Sequence, residues 1–203
     1  MFDHTTYPTR GALSVIAFNS IRRHLAGALL VAAIFHGLTV WAIPRVIMDR
    51  IITLGSTDLG MVRINGVSLP PPTDHTQRRI VMPSPDLLYA TCFFDVSERP
   101  MRVSFASDYP RYWSIALYAS TSDNFFVVND RSAKNGTVDV EIVGPNTDAD
   151  ELTRVASAST RVVSPTNRGM LLMRLLVNDD PSVRAAAEAA RRQLRCTPSG
   201  ATP

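Results

Sequence analysis

The sequence predicts a mainly β, α+β protein: an antiparallel sandwich or barrel-like domain with one N-terminal transmembrane helix and one C-terminal α-helix. Three observations support this prediction. An uncharged apolar run extends from Leu25 to Ile43, short β-type runs separated by turn signals follow from Arg78 onward, and a segment rich in Ala, Arg and Leu lies near the end. The 203 residues leave room for one anchor and one domain with an ordinary core.

The apolar run Leu25–Ile43 is predicted to be a transmembrane helix. Its 19 residues carry no formal charge, and at about 1.5 Å per residue they cross most of a ~30 Å hydrocarbon core. Two less favoured interpretations stay open. A helix of a soluble core normally has a polar face, and a cleaved signal normally has a shorter apolar part, about 7 to 15 residues, followed by small residues. Here Pro44 and Arg45 follow.

Basic residues predict the orientation of this helix. Arg10, Arg22 and Arg23 precede it, which favours a cytoplasmic N-terminal segment, residues 1–24, under the positive-inside rule. Arg45 and Arg50 on the other side reduce the asymmetry. The globular domain is therefore predicted to lie on the periplasmic side of a single-pass membrane protein.

Residues 44–77 are predicted to form a juxtamembrane helical stalk and a Pro-rich linker. Pro44 suits a kink or a new helix start, and apolar residues recur at helical spacing from Val46 to Leu54. The run Pro70–Pro72 favours an extended linker, which has at most a short strand at Met61–Ile64.

Residues 78–196 are predicted to form the β-rich domain, because short runs rich in β-branched and aromatic residues recur between turn signals. The predicted strands are Arg79–Met82, Leu87–Val96, Met101–Phe105, Tyr112–Ala119, Phe125–Val128, Val138–Val143, Arg161–Val163 and Gly169–Val177. By periodicity alone, the segment from Met170 to Leu176 fits a helix equally well.

The last predicted element is an α-helix over Val183–Arg195. Asp180 is suited to cap it and Pro181 fits the first helical position. The segment is rich in good helix formers. The tail 197–203 is predicted to be disordered.

The chain lacks the residues that common catalytic sites need. After residue 44 the one histidine is His75 in the Pro-rich loop, which argues against a His-based zinc site and a Ser-His-Asp triad. No Gly-rich phosphate loop, Gly-x-Ser-x-Gly motif or CxxC motif occurs. No catalytic residue, metal site or cofactor is predicted. Beyond residue 44 the chain has 18 Lys plus Arg and 17 Asp plus Glu, so no nucleic-acid partner is predicted.

Carboxylates and aromatic residues leave an enzymatic alternative open. Asp86, Asp95, Asp108 and Asp123 lie in the strand-rich block and can include an acid/base pair of the glycosidase kind. Aspartate at strand ends is more often a turn residue that binds nearby backbone amides. Aromatic residues are also frequent in this block. Such a set more often belongs to the hydrophobic core than to a ligand site.

Several motifs of this block together resemble the domain-of-unknown-function family 1254 over roughly residues 70 to 196. The motifs are Ser84-Pro85-Asp86-Leu87-Leu88-Tyr89, Phe94-Asp95-Val96-Ser97, Pro110-Arg111-Tyr112-Trp113-Ser114, Asp123-Asn124-Phe125-Phe126 and Arg161-Val162-Val163-Ser164-Pro165-Thr166. Larger relatives join this domain to a second β-rich domain, family 1214. The chain looks like the short, membrane-anchored bacterial subtype, which implies a separately encoded partner of the family 1214 type.

The resemblance supplies no reaction, so the predicted function is a binding or interaction module of the cell envelope, anchored in a bacterial inner membrane. The alternative is an envelope carbohydrate-acting enzyme that uses paired carboxylates. The candidate ligand- or partner-binding residues are Asp86, Tyr89, Tyr112, Trp113, Asp123 and Asn124.

Cys92 and Cys196 both follow the apolar run and are predicted to form a disulfide if the domain is periplasmic. Such a bond would fasten the C-terminal helix to the sheet, and it requires Cα atoms about 4.4 to 6.8 Å apart. The competing interpretation is that Cys92 is a small buried hydrophobe and Cys196 an exposed thiol of the tail.

Overall fold

The computed structural model describes residues 10–57, 64–74, 76, 83–147 and 160–199. It consists of two compact units, Met1–Ile43 and Pro44–Pro203. Several predicted features lie outside the described residues. They are the strand Arg79–Met82, most of the short strand Met61–Ile64, His75, residues 1–9 and the end of the tail, 200–203.

The apolar run lies in one long helix, α1 (Arg10–Thr57). Its stretch Ser20–Thr53 is long and apolar enough to cross a membrane. Large apolar side chains between Leu25 and Ile43 are exposed along it, as expected of a membrane anchor or a signal segment. Pro44 lies inside the helix, so no new helix starts there.

The part of α1 that follows Pro44 packs on the β-rich domain. Met48 and Ile52 are buried, and Ser122 Oγ donates a 3.0 Å hydrogen bond to the Pro44 carbonyl oxygen. The apolar residues at helical spacing therefore form a packing face. The prediction of a stalk was right about the helix but missed this contact.

The strands form two sheets, and the predicted mainly β, α+β class is confirmed. The strands are β1 (Gly66–Ser68), β2 (Leu87–Asp95), β3 (Met101–Ala106), β4 (Trp113–Ala119), β5 (Asn124–Asn129), β6 (Thr137–Val143), β7 (Thr160–Val163), β8 (Arg168–Leu176) and β9 (Arg195–Pro198). One sheet has the order β1-β2-β8-β4-β5 and the other β7-β6-β3-β9. Neighbouring strands are antiparallel except β6 and β7, which are parallel.

The core lies between the two sheets because each strand turns alternate apolar side chains inward. Buried residues of β2, β4 and β8 meet those of β3 and β6 in one cluster. At its centre the rings of Trp113 and Phe105 pack edge to face, with centroids 4.8 Å apart. The sequence favoured a core position over a ligand site for the aromatic residues of this block, and Trp113 and Phe105 lie in the core.

The segment from Met170 to Leu176, which also fitted a helix, lies in the central strand β8. It pairs with β2 on one side and β4 on the other. Leu171, Met173 and Leu175 are fully buried between the sheets. Strand pairing on both sides decides this element, since local periodicity does not.

Two short strands lie where the sequence predicted no strand. β1 lies in the predicted linker and pairs with β2, where Val67 is opposite Cys92. β9 lies at the start of the predicted disordered tail and pairs with β3. The final helix, α2 (Pro181–Arg191), ends before Arg195, so its predicted C-terminus was too late. In each case, pairing with a distant strand overrides the local signal.

A disulfide joins Cys92 and Cys196, whose Cα atoms are 6.6 Å apart. The predicted bond and its geometry are confirmed, and both residues are buried, unlike the alternative of an exposed tail thiol. Cys196 lies in β9. The bond therefore connects the two sheets, whereas the sequence predicted that it would fasten the C-terminal helix to a sheet.

Candidate functional site

The five-stranded sheet separates the predicted binding residues into two groups. Asp86 and Tyr112 precede β2 and β4 at the end of the sheet where Leu176 pairs with the first residue of β2. Asp123 and Asn124 lie at the other end, where β5 begins. The intervening strand β4 has 7 residues, which corresponds to about 23 Å. These residues do not form one site.

Two of the predicted binding residues have structural roles. Trp113 is 1% exposed and belongs to the core, so it does not reach a ligand at the surface. The Tyr89 hydroxyl oxygen accepts a 3.0 Å hydrogen bond from Ser84 N. Tyr89 therefore holds the turn that leads into β2.

The carboxylates of the enzymatic alternative lie in turns and at strand ends. Asp95 Oδ1 accepts a 3.0 Å hydrogen bond from Ser97 N, and Asp123 Oδ2 accepts one of 2.6 Å from Thr121 Oγ1. Asp86 and Asp123 lie at opposite ends of the sheet, far beyond the ~5 to 9.5 Å that a glycosidase pair requires.

Asp108, the remaining carboxylate of that set, is exposed in the β3–β4 connection. Within the parts of the chain that the structure describes, no three His, Cys, Asp or Glu side chains come together to hold a metal ion. Asp86, Asp95, Asp108 and Asp123 thus lie in turns and at strand ends, which is the placement that the sequence favoured.

The end of the sheet that contains Asp86 and Tyr112 presents adjacent apolar side chains. Tyr112 is 41% and Leu176 is 38% exposed, and Leu176 N donates a 2.9 Å hydrogen bond to the Tyr112 carbonyl oxygen. Two exposed charged residues lie nearby: Arg111 precedes Tyr112 in the chain, and the Asp86 carbonyl oxygen accepts a 2.8 Å hydrogen bond from Val177 N. We call this set, Asp86, Arg111, Tyr112 and Leu176, the Tyr112 end.

Tyr109 fixes the backbone at the Tyr112 end. Its hydroxyl group donates a 2.6 Å hydrogen bond to the Leu176 carbonyl oxygen. Burial raises the pKa of the Tyr109 hydroxyl, an effect that the nearby Arg111 partly opposes. The Tyr109 hydroxyl group is therefore a neutral donor that holds the end of β8. This hydrogen bond fixes the backbone beside the exposed Tyr112 and Leu176 side chains. Sequence reasoning named Tyr112 but missed Leu176, because only strand pairing brings them together.

The opposite end of the sheet faces α1 across an open cleft of about 400 Å³, lined by Arg45, Asp49, Thr121, Arg168 and neighbouring residues. None of these was a predicted site residue. The sequence carries one signal for the cleft, since Arg45 comes directly after the apolar run and Pro44.

A polar pair lies on the outer face of the five-stranded sheet. Ser114 and Arg174 are directly opposite on β4 and β8. Ser114 Oγ and Arg174 Nε are buried atoms without a hydrogen-bond partner. Since Ser114 is 1% exposed, a ligand cannot reach its hydroxyl group in this conformation.

Comparisons with known proteins identify relatives without assigning a reaction. Residues 64–198 match the family described as "Protein of unknown function (DUF1254)". None of the curated proteins matches the chain. The crystal structure of the VPA0106 protein from Vibrio parahaemolyticus is similar, with 16% identity and a TM-score of 0.56, over 79% of this chain and 36% of that one.

A second solved structure, a putative uncharacterized protein from Burkholderia cenocepacia, has 17% identity and a TM-score of 0.45 over 77% of this chain and 42% of that one. The likeness to the Vibrio protein supports the fold alone. This chain spans 36% and 42% of the lengths of the two solved proteins that it matches.

Proposed function

Since this chain belongs to the DUF1254 family of proteins of unknown function, we propose its function from its own geometry: it is a non-enzymatic, membrane-anchored module of the cell envelope that binds a partner protein through its Tyr112 end. The observation that carries this proposal is the exposure of Tyr112 and Leu176 on neighbouring strand ends.

Three features support an anchor with the domain in the periplasm of a bacterium. The helix α1 is long and apolar enough to span the inner membrane, and Arg22 and Arg23 precede its apolar run, as the positive-inside rule expects of a cytoplasmic N-terminus. The Cys92–Cys196 disulfide is typical of an oxidising compartment.

The Tyr112 end has the composition of a protein-binding surface. Tyrosine is enriched at protein interfaces because its large ring is apolar and its hydroxyl group remains hydrated. Asp86 and Arg111 are exposed beside the apolar pair, and they supply a charged rim that selects a complementary partner. An apolar centre with a polar rim is the usual anatomy of such interfaces.

The proposed partner is a separately encoded β-rich protein of the family 1214 type. The resemblance to the short subtype implies such a partner, and the chain spans only 36% of the Vibrio relative, so that relative contains a further portion. Nucleic acid is not proposed as a partner, because basic and acidic residues nearly balance in the domain.

Site-specific crosslinking tests the proposal. We expect a photoreactive p-benzoylphenylalanine at Tyr112 in the full, membrane-inserted chain to crosslink to a protein that carries a family 1214 type domain. The same group at Val163, an apolar residue of β7 that is also exposed, is the matched control and should not form this product. Equal yields from both positions, or no such product at Tyr112, would contradict the proposed interface.

A further inference from the structure

Two arginine side chains and several hydroxyl-bearing residues line an open cleft beside α1. Its volume is about 400 Å³. Its walls include Arg45, Asp49, Ser120, Thr121, Thr166 and Arg168. We propose that this cleft binds the phosphodiester group of a membrane phospholipid. The inference rests on the proposed membrane anchor, because α1 must span a membrane for the cleft to meet lipid headgroups.

Three hydrogen bonds hold one wall of the cleft in place. Ser120 N donates to Thr166 Oγ1 at 3.0 Å and to the Arg168 carbonyl oxygen at 3.1 Å. Thr166 Oγ1 in turn donates to the same carbonyl oxygen at 2.7 Å. These bonds join the β4–β5 turn to the turn before β8. The cleft is therefore formed before any ligand arrives, as most ligand sites are.

The helix forms the opposite wall and is fixed as well. Ser122 Oγ donates a 3.0 Å hydrogen bond to the Pro44 carbonyl oxygen, and Ile52 is buried on the domain. Arg45 and Asp49 lie between these two contacts in the chain. Their backbone positions relative to Arg168 are consequently set by packing.

The arginine side chains of the cleft suit a singly charged anion. Arg45 and Arg168 line it together with Asp49, and the Asp95 carboxylate lies beside Arg168. Arginine suits this ligand because its planar guanidinium donates to two oxygens at once. Asp49 disfavours polyanions by repulsion.

Arg168 has donors available for an anion. Its side chain is 41% exposed, and its Nε atom is 4.0 Å from Asp95 Oδ2, a distance beyond a hydrogen bond. The Asp95 carboxylate therefore attracts the Arg168 guanidinium but does not occupy all of its five N–H donors.

The sequence position of the cleft favours a lipid over a soluble anion. Arg45 follows Ile43, the last residue of the apolar run, by two positions, a rise of about 3 Å along a helix. The polar headgroups lie directly outside the hydrocarbon core that such a run spans. A phosphodiester at this depth is within reach of an arginine side chain.

Lipid binding by the full chain in neutral maltoside micelles tests the inference. The probe is dihexanoylphosphatidylglycerol, and calorimetry gives its dissociation constant. We expect Arg168→Gln to raise this constant about tenfold, as loss of a charge-assisted hydrogen bond would, and Arg45→Gln to weaken binding also. The matched control Arg131→Gln, in the exposed turn after β5, should leave the constant unchanged. If Arg168→Gln does not fold, the dissociation constants of Arg45→Gln and Arg168→Lys are compared with that of Arg131→Gln instead.

Three results would overturn the inference. Equal weakening by Arg131→Gln would indicate general charge attraction. Equally tight binding of dihexanoylglycerol would show that the acyl chains alone bind, and equally tight binding of inorganic phosphate would show a site for free anions. Because binding in micelles does not require α1 to span a membrane, failure of the anchor proposal and failure of this inference give separate results.

Discussion

At the scale of single residues, much of the decisive detail is invisible in the sequence. Gly169 illustrates this, because a Cβ atom at this position would overlap the Phe94 ring and the Tyr118 carbonyl oxygen. Nothing around Gly169 in the sequence indicates the close approach. Asp180 is the contrary case, since its place before Pro181 predicted its capping role and the structure confirms it: Asp180 Oδ1 accepts a 2.8 Å hydrogen bond from Ser182 N.

The Asp180 cap predicts an acid-dependent loss of stability. Hydrogen bonds from the Ser182 hydroxyl and then from its backbone N–H lower the pKa of Asp180 below its ordinary value of 3.8. The folded state thus favours the ionised form. The stabilisation from the ionised cap is present at pH values above the pKa of Asp180 in the unfolded chain. It is lost as the pH falls through the lower pKa of Asp180 in the folded state.

Urea unfolding of the full chain between pH 7 and pH 2 checks this prediction with Asp180→Asn. Asparagine also caps helices but does not titrate, so the variant should lack this part of the acid dependence. Ser182→Ala removes the hydroxyl donor and should weaken the same dependence. Identical pH profiles for the wild type and Asp180→Asn would show that the cap does not contribute to acid sensitivity.

At the scale of elements, pairing between distant segments decides what local patterns leave open. Glu141 and Arg161 are opposite each other on the parallel strands β6 and β7, and their side chains form a 2.7 Å ion pair that is largely buried. Ser199 Oγ, just beyond β9, donates a 2.9 Å hydrogen bond to Glu141. The second sheet is thus completed by residues from separate parts of the chain, including the predicted disordered tail.

The disulfide between β2 and β9 should stabilise the domain substantially. Its cysteines are 104 positions apart, and closing a loop of that length restricts the unfolded chain. The stabilisation is typically about 2 to 4 kcal/mol. We expect reduction to lower the free energy of unfolding of the wild type by this amount, measured with urea and with or without reductant.

The double variant Cys92→Ala, Cys196→Ala is the control, because reductant should not change its stability further. Alkylation gives an independent check. The non-reduced, denatured wild-type chain should yield no reactive thiol, and the reduced chain should yield two. Two alkylatable thiols without reduction would mean that the bond does not form in the cell.

At the scale of the whole molecule, the chain combines an apolar helix with a β-sandwich whose two ends differ. One end packs on the residues of α1 that follow Pro44 and contains the arginine cleft, whereas the Tyr112 end presents the exposed apolar pair. We propose separate roles for the two ends, partner binding at the Tyr112 end and lipid contact at the arginine cleft.

The proposed orientation predicts the behaviour of reporter fusions. With Arg22 and Arg23 in the cytoplasm and Pro44 outside it, a periplasm-active phosphatase fused after Pro203 should be active. A cytoplasm-active reporter at the same position should be silent. The reverse pattern would place the domain in the cytoplasm and remove the basis for a stable disulfide.

Several features of this protein follow from local composition and spacing in the sequence. These are the apolar helix, the start of α2 at Pro181, most strands of the sandwich and the pair of cysteines that join. Local signals suffice for them, because hydrophobic length, capping residues and alternation act within a few residues.

Other features become clear only from the folded protein: the strands β1 and β9, the end of α2 and the extended form of the segment from Met170 to Leu176. The fold also separates Asp86 from Asp123, brings Tyr112 next to Leu176, and places Arg45 in one cleft with Arg168. All of these features have the same cause. Each depends on hydrogen bonding or packing between segments distant in the chain, and such pairing overrides local propensity wherever the local preference is weak.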